Sequence, residues 1–190
     1  MNKFLRTFIL ITTMFFLNFG NSVQADTGEY LGKGLSVGDK VPEFNLRTET
    51  NKLISFNQNF KGKVLLLVVA NYCTKDLGGV WSIQSYYRFH NEKDFAFPFI
   101  FSRYCVPFYI PNAFVGSQAN YTATTLKIPY FLMDWDNSAT LNLFKGNSVY
   151  SHIYVIDRKG VIRWKHTLKT PFTSPDEMNQ LIRKLLDSGE

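Results

Sequence analysis

The chain has 190 residues, of which 45% are hydrophobic, 19% are charged and 16% are aromatic. This composition is typical of one globular domain with a substantial core, and it excludes a disordered or collagen-like chain. The 21 Lys and Arg outnumber the 15 Asp and Glu, which gives a net charge of +6. The basic residues are scattered, which argues against a nucleic-acid-binding surface. Two cysteines are too few for a disulfide scaffold or a four-thiolate zinc site.

The first 25 residues have the layout of a secretory signal peptide. Lys3 and Arg6 supply a positive start, residues 8–19 form an apolar stretch, and small residues occupy the first and third positions before Asp26. This pattern predicts cleavage after Ala25 and export, with the periplasm as the expected compartment. An uncleaved N-terminal anchor is the alternative. The chain has no unbroken run of about 18 apolar residues, which argues against an integral membrane protein.

The rest of the chain contains no internal repeat, low-complexity tract or linker that would divide it. We therefore expect a short lead over residues 26–36 and one α/β domain over residues 37–190. Export would place both cysteines where disulfides persist.

The first half of this domain predicts two strands separated by a helix. Lys63 to Ala70 (KVLLLVVA) has the continuous apolar pattern of a strand covered on both faces of a parallel sheet. Leu77 to His90 is a predicted helix, and Phe95 to Phe101 is a second strand. Pro98 cannot donate to a ladder, so we expect that strand at a sheet edge or at a bulge. Ser102 to Lys127 is irregular and is expected to contain one or two inserted helices.

The second half predicts a strand, a short helix, a hairpin and a final helix. The strand covers Ile128 to Met133, the short helix Ala139 to Phe144, and the hairpin Tyr150 to Ile156 with Val161 to Thr167. A capping box at Ser174 to Glu177 opens the last helix, whose apolar face contains Met178, Leu181, Ile182 and Leu185. This order predicts an α/β fold with a mixed central sheet and helices on both faces.

Cys73 lies where such a sheet usually has its functional site, at the carboxyl end of a strand just before the next helix. A thiol at the first turn of a helix feels the positive end of the helix dipole, which favours the thiolate. Lys75 adds to this effect, whereas the negative charge of Asp76 opposes it. The sequence therefore makes Cys73 the leading candidate for a reactive residue, with Asp76 in the same turn.

Four blocks of sequence, in the right order, resemble the thioredoxin-fold redoxins. The chain is most similar to exported thiol-disulfide oxidoreductases and to the alkyl hydroperoxide reductase/thiol-specific antioxidant group. The resemblance implies a thioredoxin-like fold with a C-terminal hairpin and helix, no cofactor, and protein thiols or disulfides as substrates. The blocks are Val37–Leu46 with its Gly-Asp-x-x-Pro-x-Phe-x-Leu pattern, Phe60–Cys73, Ile128–Asp136 and Tyr154–Ile162.

The chain departs from that family at the reactive positions. Asp76 stands where the second cysteine of the family's Cys-x-x-Cys motif is expected, and Ser151 stands at the place of the family's cis-proline. A cis bond before a non-proline residue costs about 3 kcal/mol, so we expect a trans bond before Ser151. The threonine that peroxidases carry two residues from the reactive cysteine is missing. A mixed disulfide at Cys73 must then be resolved by an external thiol or by Cys105.

Each cysteine has an alternative interpretation. Cys105 is either a resolving cysteine or a buried small hydrophobe beside its apolar neighbours. Cys73 is either reactive or an inert relic in a binding protein, with Asp76 serving only the helix N-terminus. His152 lies next to the cis-proline position, so a pair with Cys73 is expected to be close in space. One thiolate and one imidazole make a poor metal site, and no metal is predicted.

Two hypotheses for function remain open. The first is monothiol redox chemistry through Cys73 on a substrate-binding surface formed by Tyr72, Tyr150, Ser151 and His152. The second is a non-catalytic binding protein or assembly factor. It draws on the hairpin from Asn147 to Trp164, which is similar to the closing motif of the mitochondrial ATP synthase assembly-factor family. Exposure of several aromatic side chains would mark a partner-binding patch, the relevant residues being Tyr104, Phe108, Tyr109 and Phe114.

Overall fold

The computed structural model describes residues 34–145, 150–168 and 174–189, with side chains described for all of these except residues 75–81 and 168. The predicted signal peptide lies outside the described residues, as do Asn147 and Ser148 of the hairpin motif. In the described part of the chain, no helix has both the length and the apolar character needed to cross a membrane.

The described strands are β1 (Asn45–Thr48), β2 (Leu53–Ser55), β3 (Val64–Asn71), β4 (Phe95–Ala96), β5 (Pro98–Ser102), β6 (Tyr130–Asp134), β7 (Ser151–Ile156) and β8 (Ile162–Leu168). They form one mixed sheet in the order β2-β1-β6-β5-β3-β7-β8, with β4 also pairing with β3. The three strands β3, β5 and β6 are parallel, whereas β7 is antiparallel to β3 and β8 is antiparallel to β7.

The ends of the parallel strands meet at one edge of the sheet. Asn71 of β3 pairs with Ser102 of β5, and Ser102 pairs with Asp134 of β6. The loops that follow these three residues therefore lie side by side. This edge carries both cysteines.

Among the described elements, three long helices cover one face of the sheet. Their buried residues pack with the side chains of β3 that point to that face, forming the larger core cluster. The opposite face is covered by shorter segments, including the stretch before β1, a four-residue helix and Phe144 at the end of a π-helix. The helices are α1 (Phe56–Asn59), α2 (Lys75–Phe89), α3 (Asn112–Leu126), the π-helix (Ala139–Leu143) and α4 (Asp176–Asp187).

Strand β3 is buried along its whole length, as its unbroken apolar pattern predicts. Leu66 and Val68 contribute to the core under the long helices, whereas Leu65 and Leu67 contribute to the core on the other face. Burying each such side chain contributes about 1.5–3 kcal/mol. The strand is therefore the central support from which the loop containing Cys73 projects.

The expectation for Pro98 is wrong. Its strand is not at an edge but lies between β3 and β6, and its register with β3 is the same on both sides of the break between β4 and β5. Pro98 is the first residue of β5, a position that proline tolerates because the missing donor coincides with this break.

The other predicted elements need only small corrections. The last helix begins at Asp176, and Ser174 forms its hydrogen bonds with Asp176 rather than a capping box with Glu177. Its apolar face is as predicted, with Met178 and Ile182 fully buried. The hairpin of β1 and β2 and the short helix α1 were not predicted, because each is too short to show a periodic pattern.

Candidate functional site

Cys73 and Cys105 lie in the loops that follow neighbouring strands. Cys73 is two residues beyond the end of β3, and Cys105 is three residues beyond the end of β5. Both residues are exposed, and both are free thiols. The alternative of Cys105 as a buried small hydrophobe is therefore wrong.

Asn71 holds the turn that carries Cys73. Its buried side-chain Oδ1 accepts hydrogen bonds from the backbone N–H of Cys73 at 2.9 Å and from that of Thr74 at 3.2 Å. The Thr74 hydroxyl accepts in turn from the Asn71 N–H at 3.3 Å. This reciprocal arrangement is an Asx-type turn, in which the side chain replaces backbone partners that the strand no longer supplies. It positions Cys73 at the start of α2.

Ser102 holds the loop that carries Cys105 in a similar way. Its hydroxyl accepts a hydrogen bond from the Tyr104 N–H at 3.1 Å and donates one to Asn137 Oδ1 at 2.8 Å. Further along, an Arg103 guanidinium nitrogen donates to the carbonyl of Ile110 at 2.9 Å. The loop is thus closed on itself before α3 begins.

The two loops contact each other directly. The Tyr72 N–H donates to the Tyr104 carbonyl at 3.3 Å, which links the two loops beyond the ends of β3 and β5. The thiol of Cys105 lies close enough to Cys73 for the two groups to interact. Partial burial of the Cys105 sulfur, together with the neighbouring thiol and the negative charge of a Cys73 thiolate, raises the pKa of the Cys105 thiol to about 12. The structure therefore brings both sulfurs into one site and keeps Cys105 protonated near neutral pH.

Ser151 lies under the Cys73 turn. Its hydroxyl donates to the carbonyl of Thr74 at 2.8 Å, and the residue is fully buried. The bond before Ser151 is trans, as expected, because the described residues contain no cis peptide. The hairpin therefore reaches the start of α2 at this position, although the Ser151 side chain is not open to solvent.

His152 is not part of this site. Successive strand residues point to opposite faces, and His152 lies with Tyr154 on the face away from Ser151, with Nδ1 3.1 Å from the Thr167 hydroxyl. Among the described residues it makes no contact with Cys73, so the expected Cys73–His152 pair is not formed. Burial, reinforced by the positive charge of Lys165, lowers the pKa of His152 to about 4.

Three further residues predicted for the site are Tyr72, Tyr150 and Asp76. Tyr72 and Tyr150 are half-buried and flank the site in sequence. Asp76 belongs to the first turn of α2, but its side chain lies outside the described set, so its role stays a prediction. The described residues contain no group of three or more His, Cys, Asp or Glu that could hold a metal ion.

A patch of exposed aromatic side chains follows Cys105. Phe108 is 92% exposed, and the residues around it are also accessible to solvent. Several large apolar side chains exposed close together in the chain are typical of a binding surface, and Phe108 and Tyr109 are in ring contact. The condition set for a binding patch, exposure of these residues, is therefore met. We call this group the aromatic patch: Tyr104, Phe108, Tyr109 and Phe114.

The sequence did not identify Asn71, Thr74 and Ser102 as the residues that shape the site. A signal was present, because Asn71 and Ser102 are polar residues placed directly after strongly apolar strands. Such residues often close turns through their side chains. Their pairing across the sheet, however, became visible only with the register of β3 and β5.

The chain is similar to known proteins in structure but not detectably in sequence. No protein-family model matches the chain, and no curated protein matches its sequence. A candidate protein disulfide isomerase from Bacteroides thetaiotaomicron is similar, with a TM-score of 0.61 at 18% identity over 82% of this chain and 92% of that one.

Two further structures give the same result. The thioredoxin domain of a thiol-disulfide oxidoreductase from Bacteroides vulgatus matches with a TM-score of 0.55 at 15% identity, over 80% of this chain and 99% of that one. A thiol:disulfide interchange protein of the thioredoxin family from Chlorobium tepidum matches with a TM-score of 0.54 at 15% identity, over the same shares of the two chains. At such identities the likeness establishes the fold, and the chain therefore has a thioredoxin-like fold.

Proposed function

We propose that this chain is an exported thiol–disulfide redox protein in which Cys73 is the attacking thiol. The observation that carries the proposal is the exposed Cys73 at the carboxyl edge of the parallel strands, next to a second exposed cysteine with which it interacts. The solved structures of similar fold include proteins named for thiol:disulfide interchange, which supports the same chemistry here.

The start of α2 favours a nucleophilic sulfur at Cys73. The helix has 15 residues, and Thr74 at its N-cap makes no side-chain cap hydrogen bond. The positive end of the helix dipole is therefore available to a thiolate that immediately precedes it. The Asn71 side chain fixes the backbone of this turn, so the sulfur is held in place before a substrate arrives.

The aromatic patch supports a polypeptide substrate. It begins beside Cys105 and includes the most exposed large apolar side chain among the described residues, Phe108. Apolar surface of this kind suits a protein segment that carries a disulfide and is not yet buried in its own core. Such segments occur in exported proteins during oxidative folding, in keeping with the predicted signal peptide.

The proposal is tested by the reduction of insulin disulfides with dithiothreitol as electron donor. We expect the protein to accelerate the reaction and Cys73→Ser to abolish the acceleration. Ser117→Ala, an exposed helix substitution, serves as the matched control and should leave the rate unchanged. Iodoacetamide should also alkylate Cys73 faster in the folded protein than after unfolding.

The alternative is a non-catalytic binding protein that uses the same surface, and the aromatic patch is the observation that favours it. In that case Cys73→Ser leaves partner binding intact, and Cys73 reacts with iodoacetamide no faster than an unfolded thiol. Phe108→Ser then abolishes binding although the folded structure is unaffected, because this side chain is almost completely exposed. That combination of results would replace the redox proposal with the binding one.

A further inference from the structure

We propose that Cys105 is the resolving thiol of this site and that Cys73 and Cys105 interconvert between a dithiol and an intramolecular disulfide. The inference rests on the proposed exchange at Cys73 and assigns that reaction a second catalytic residue. In a Cys-x-x-Cys motif both sulfurs belong to one helix turn. Here the second sulfur comes instead from the loop after the neighbouring strand.

The register of the sheet explains how the two sulfurs meet. Asn71 and Ser102 are directly paired on β3 and β5, and paired residues of neighbouring strands lie about 5 Å apart. Beyond the strands, the Tyr72 N–H donates to the Tyr104 carbonyl, and these two residues immediately precede the two cysteines. Cys73 and Cys105 therefore follow neighbouring strand ends that lie within the backbone separation a disulfide can bridge. The two side chains are close enough to interact, since Cys73 contributes to the pKa shift of Cys105.

The backbone at Cys105 is a second, independent observation. Its φ angle is 69°, in the left-handed region that non-glycine residues other than Asn and Asp rarely adopt. The loop imposes this conformation through the Ser102 hydroxyl and through the hydrogen bond from Val106 N–H to the Arg103 carbonyl. An unfavourable conformation that the surroundings enforce is typical of a functional position. In this case it presents the sulfur to Cys73.

The reaction balances without any bound cofactor. The Cys73 thiolate attacks one sulfur of a substrate disulfide, forming a mixed disulfide and releasing the first substrate thiolate. The Cys105 sulfur then attacks Cys73, which forms the Cys73–Cys105 bond, releases the second substrate thiol and passes it the Cys105 proton. Two electrons move from the two cysteines to the substrate. An external dithiol or two small thiols return them and restore the reduced pair.

The electrostatics set the order of these steps. Burial of the Cys105 sulfur and, to a smaller extent, the neighbouring Cys73 side chain and its charge raise the pKa of Cys105, which lowers its thiolate fraction in the reduced protein. Once Cys73 is bound in a mixed disulfide, its sulfur carries no negative charge. The part of the pKa elevation that comes from this charge is then lost, whereas the larger part that comes from burial remains. Cys105 is therefore a better nucleophile after the first exchange than before it.

The test uses the purified, reduced protein and oxidised glutathione as the disulfide probe, followed by acid quenching and measurement of the intact mass. We expect a transient glutathione adduct on Cys73, then a product that lacks two hydrogens and gives a linked Cys73–Cys105 peptide. In Cys105→Ser the adduct should persist at least about tenfold longer, because attack by a held intramolecular thiol is lost. Cys105→Gly should behave in the same way and is compatible with the positive φ.

The outcomes separate the two proposals. If the adduct disappears equally fast in the wild type and in both Cys105 variants, and no linked peptide forms, the resolving role is wrong while exchange at Cys73 stands. If Cys73 forms no adduct in any variant, the proposed function itself fails. In Cys73→Ser we expect Cys105 to acquire glutathione more slowly than Cys73 does in Cys105→Ser. Faster modification would reverse the assigned roles and overturn the inference.

Discussion

Ser151 and His152 are consecutive residues of β7, yet they serve opposite sides of the sheet. Ser151 donates a hydrogen bond to Thr74 beneath the turn that carries the reactive thiol. His152 points away from that site to a closed region that also contains Tyr154, near the positive charge of Lys165. One residue step in a strand thus separates a side chain that supports the site from one that is buried on the other face of the sheet.

The two sides differ in what their polar groups do. At the thiol edge, the side chains of Asn71 and Ser102 bond to the backbone of the loops, and both cysteine residues remain accessible to solvent. On the His152 side, burial lowers the pKa of the imidazole and raises that of the Tyr154 hydroxyl. Both groups are thereby kept neutral around pH 7. A buried titratable residue that is next to a site in sequence is therefore not part of the site unless its side chain points toward it.

The largest expected effect concerns pH and His152. The unfolded chain takes up a proton at His152 below about pH 6.5, whereas the folded chain does so only near pH 4. The contribution of His152 to stability is therefore fully present above the unfolded value and falls by about 3 kcal/mol as the pH decreases through this window. Urea unfolding of the wild type and of His152→Gln, at neutral pH and near pH 4, measures it.

The variant should lose part of the acid destabilisation, whereas His90→Gln at an exposed position should keep all of it. The difference between the two variants isolates His152 from His166, whose pKa is also lowered by burial and whose effect has the same sign. An unchanged pH dependence in His152→Gln would show that this imidazole is solvated, and the contrast between the two sides of β7 would break down.

Tyr154→Phe should have the next largest effect. The buried Tyr154 hydroxyl accepts the backbone N–H of Leu35 at 3.2 Å. Its removal leaves that donor without this partner and should lower the free energy of unfolding by about 1–2 kcal/mol. Insulin reduction should be unchanged. Tyr121→Phe, at an exposed helix position, is the control and should be neutral. A loss of activity in Tyr154→Phe would mean that the two sides are coupled.

Ser151→Ala should have the smallest effect on stability, about 1 kcal/mol, because only one hydrogen bond to the Thr74 carbonyl is lost. The substitution should nevertheless change the site, since this bond fixes Thr74, the residue between Cys73 and α2. We expect the rate of Cys73–Cys105 closure after glutathione addition to fall, whereas Ser117→Ala closes at the wild-type rate. Equal closure rates in the two variants would assign Ser151 to packing alone.

Much of the fold was predictable from local pattern. The apolar run of β3, the hairpin of β7 and β8 and the apolar face of α4 each have a period or a turn signal that needs no partner to be recognised. Pro98 shows the limit of this approach. A proline predicts where a hydrogen bond is missing, but the neighbours on either side of its strand decide whether that position is an edge.

The candidate site was predictable only in part. Cys73 was identified because a lone thiol after a buried strand and before a helix is visible in the sequence. The prediction that His152 lies close to Cys73 was wrong, because the direction of its side chain depends on the register of β7 against β3. The sequence left open whether Cys105 lies near Cys73, and the positions of the two loops in the structure showed that it does. The resemblance of the hairpin to the assembly-factor family stays a prediction, because no family model and no curated protein matches the chain.

The central strand, the order of the elements and one thiol at the start of a helix can all be located from the amino-acid sequence, because they follow from hydrophobic period and short-range hydrogen bonding. The neighbouring position of the second thiol, and the distance of the histidine from both, became visible only once the strands were paired. Those relations depend on strand register, and a register joins residues far apart in the chain whose local patterns carry no information about each other.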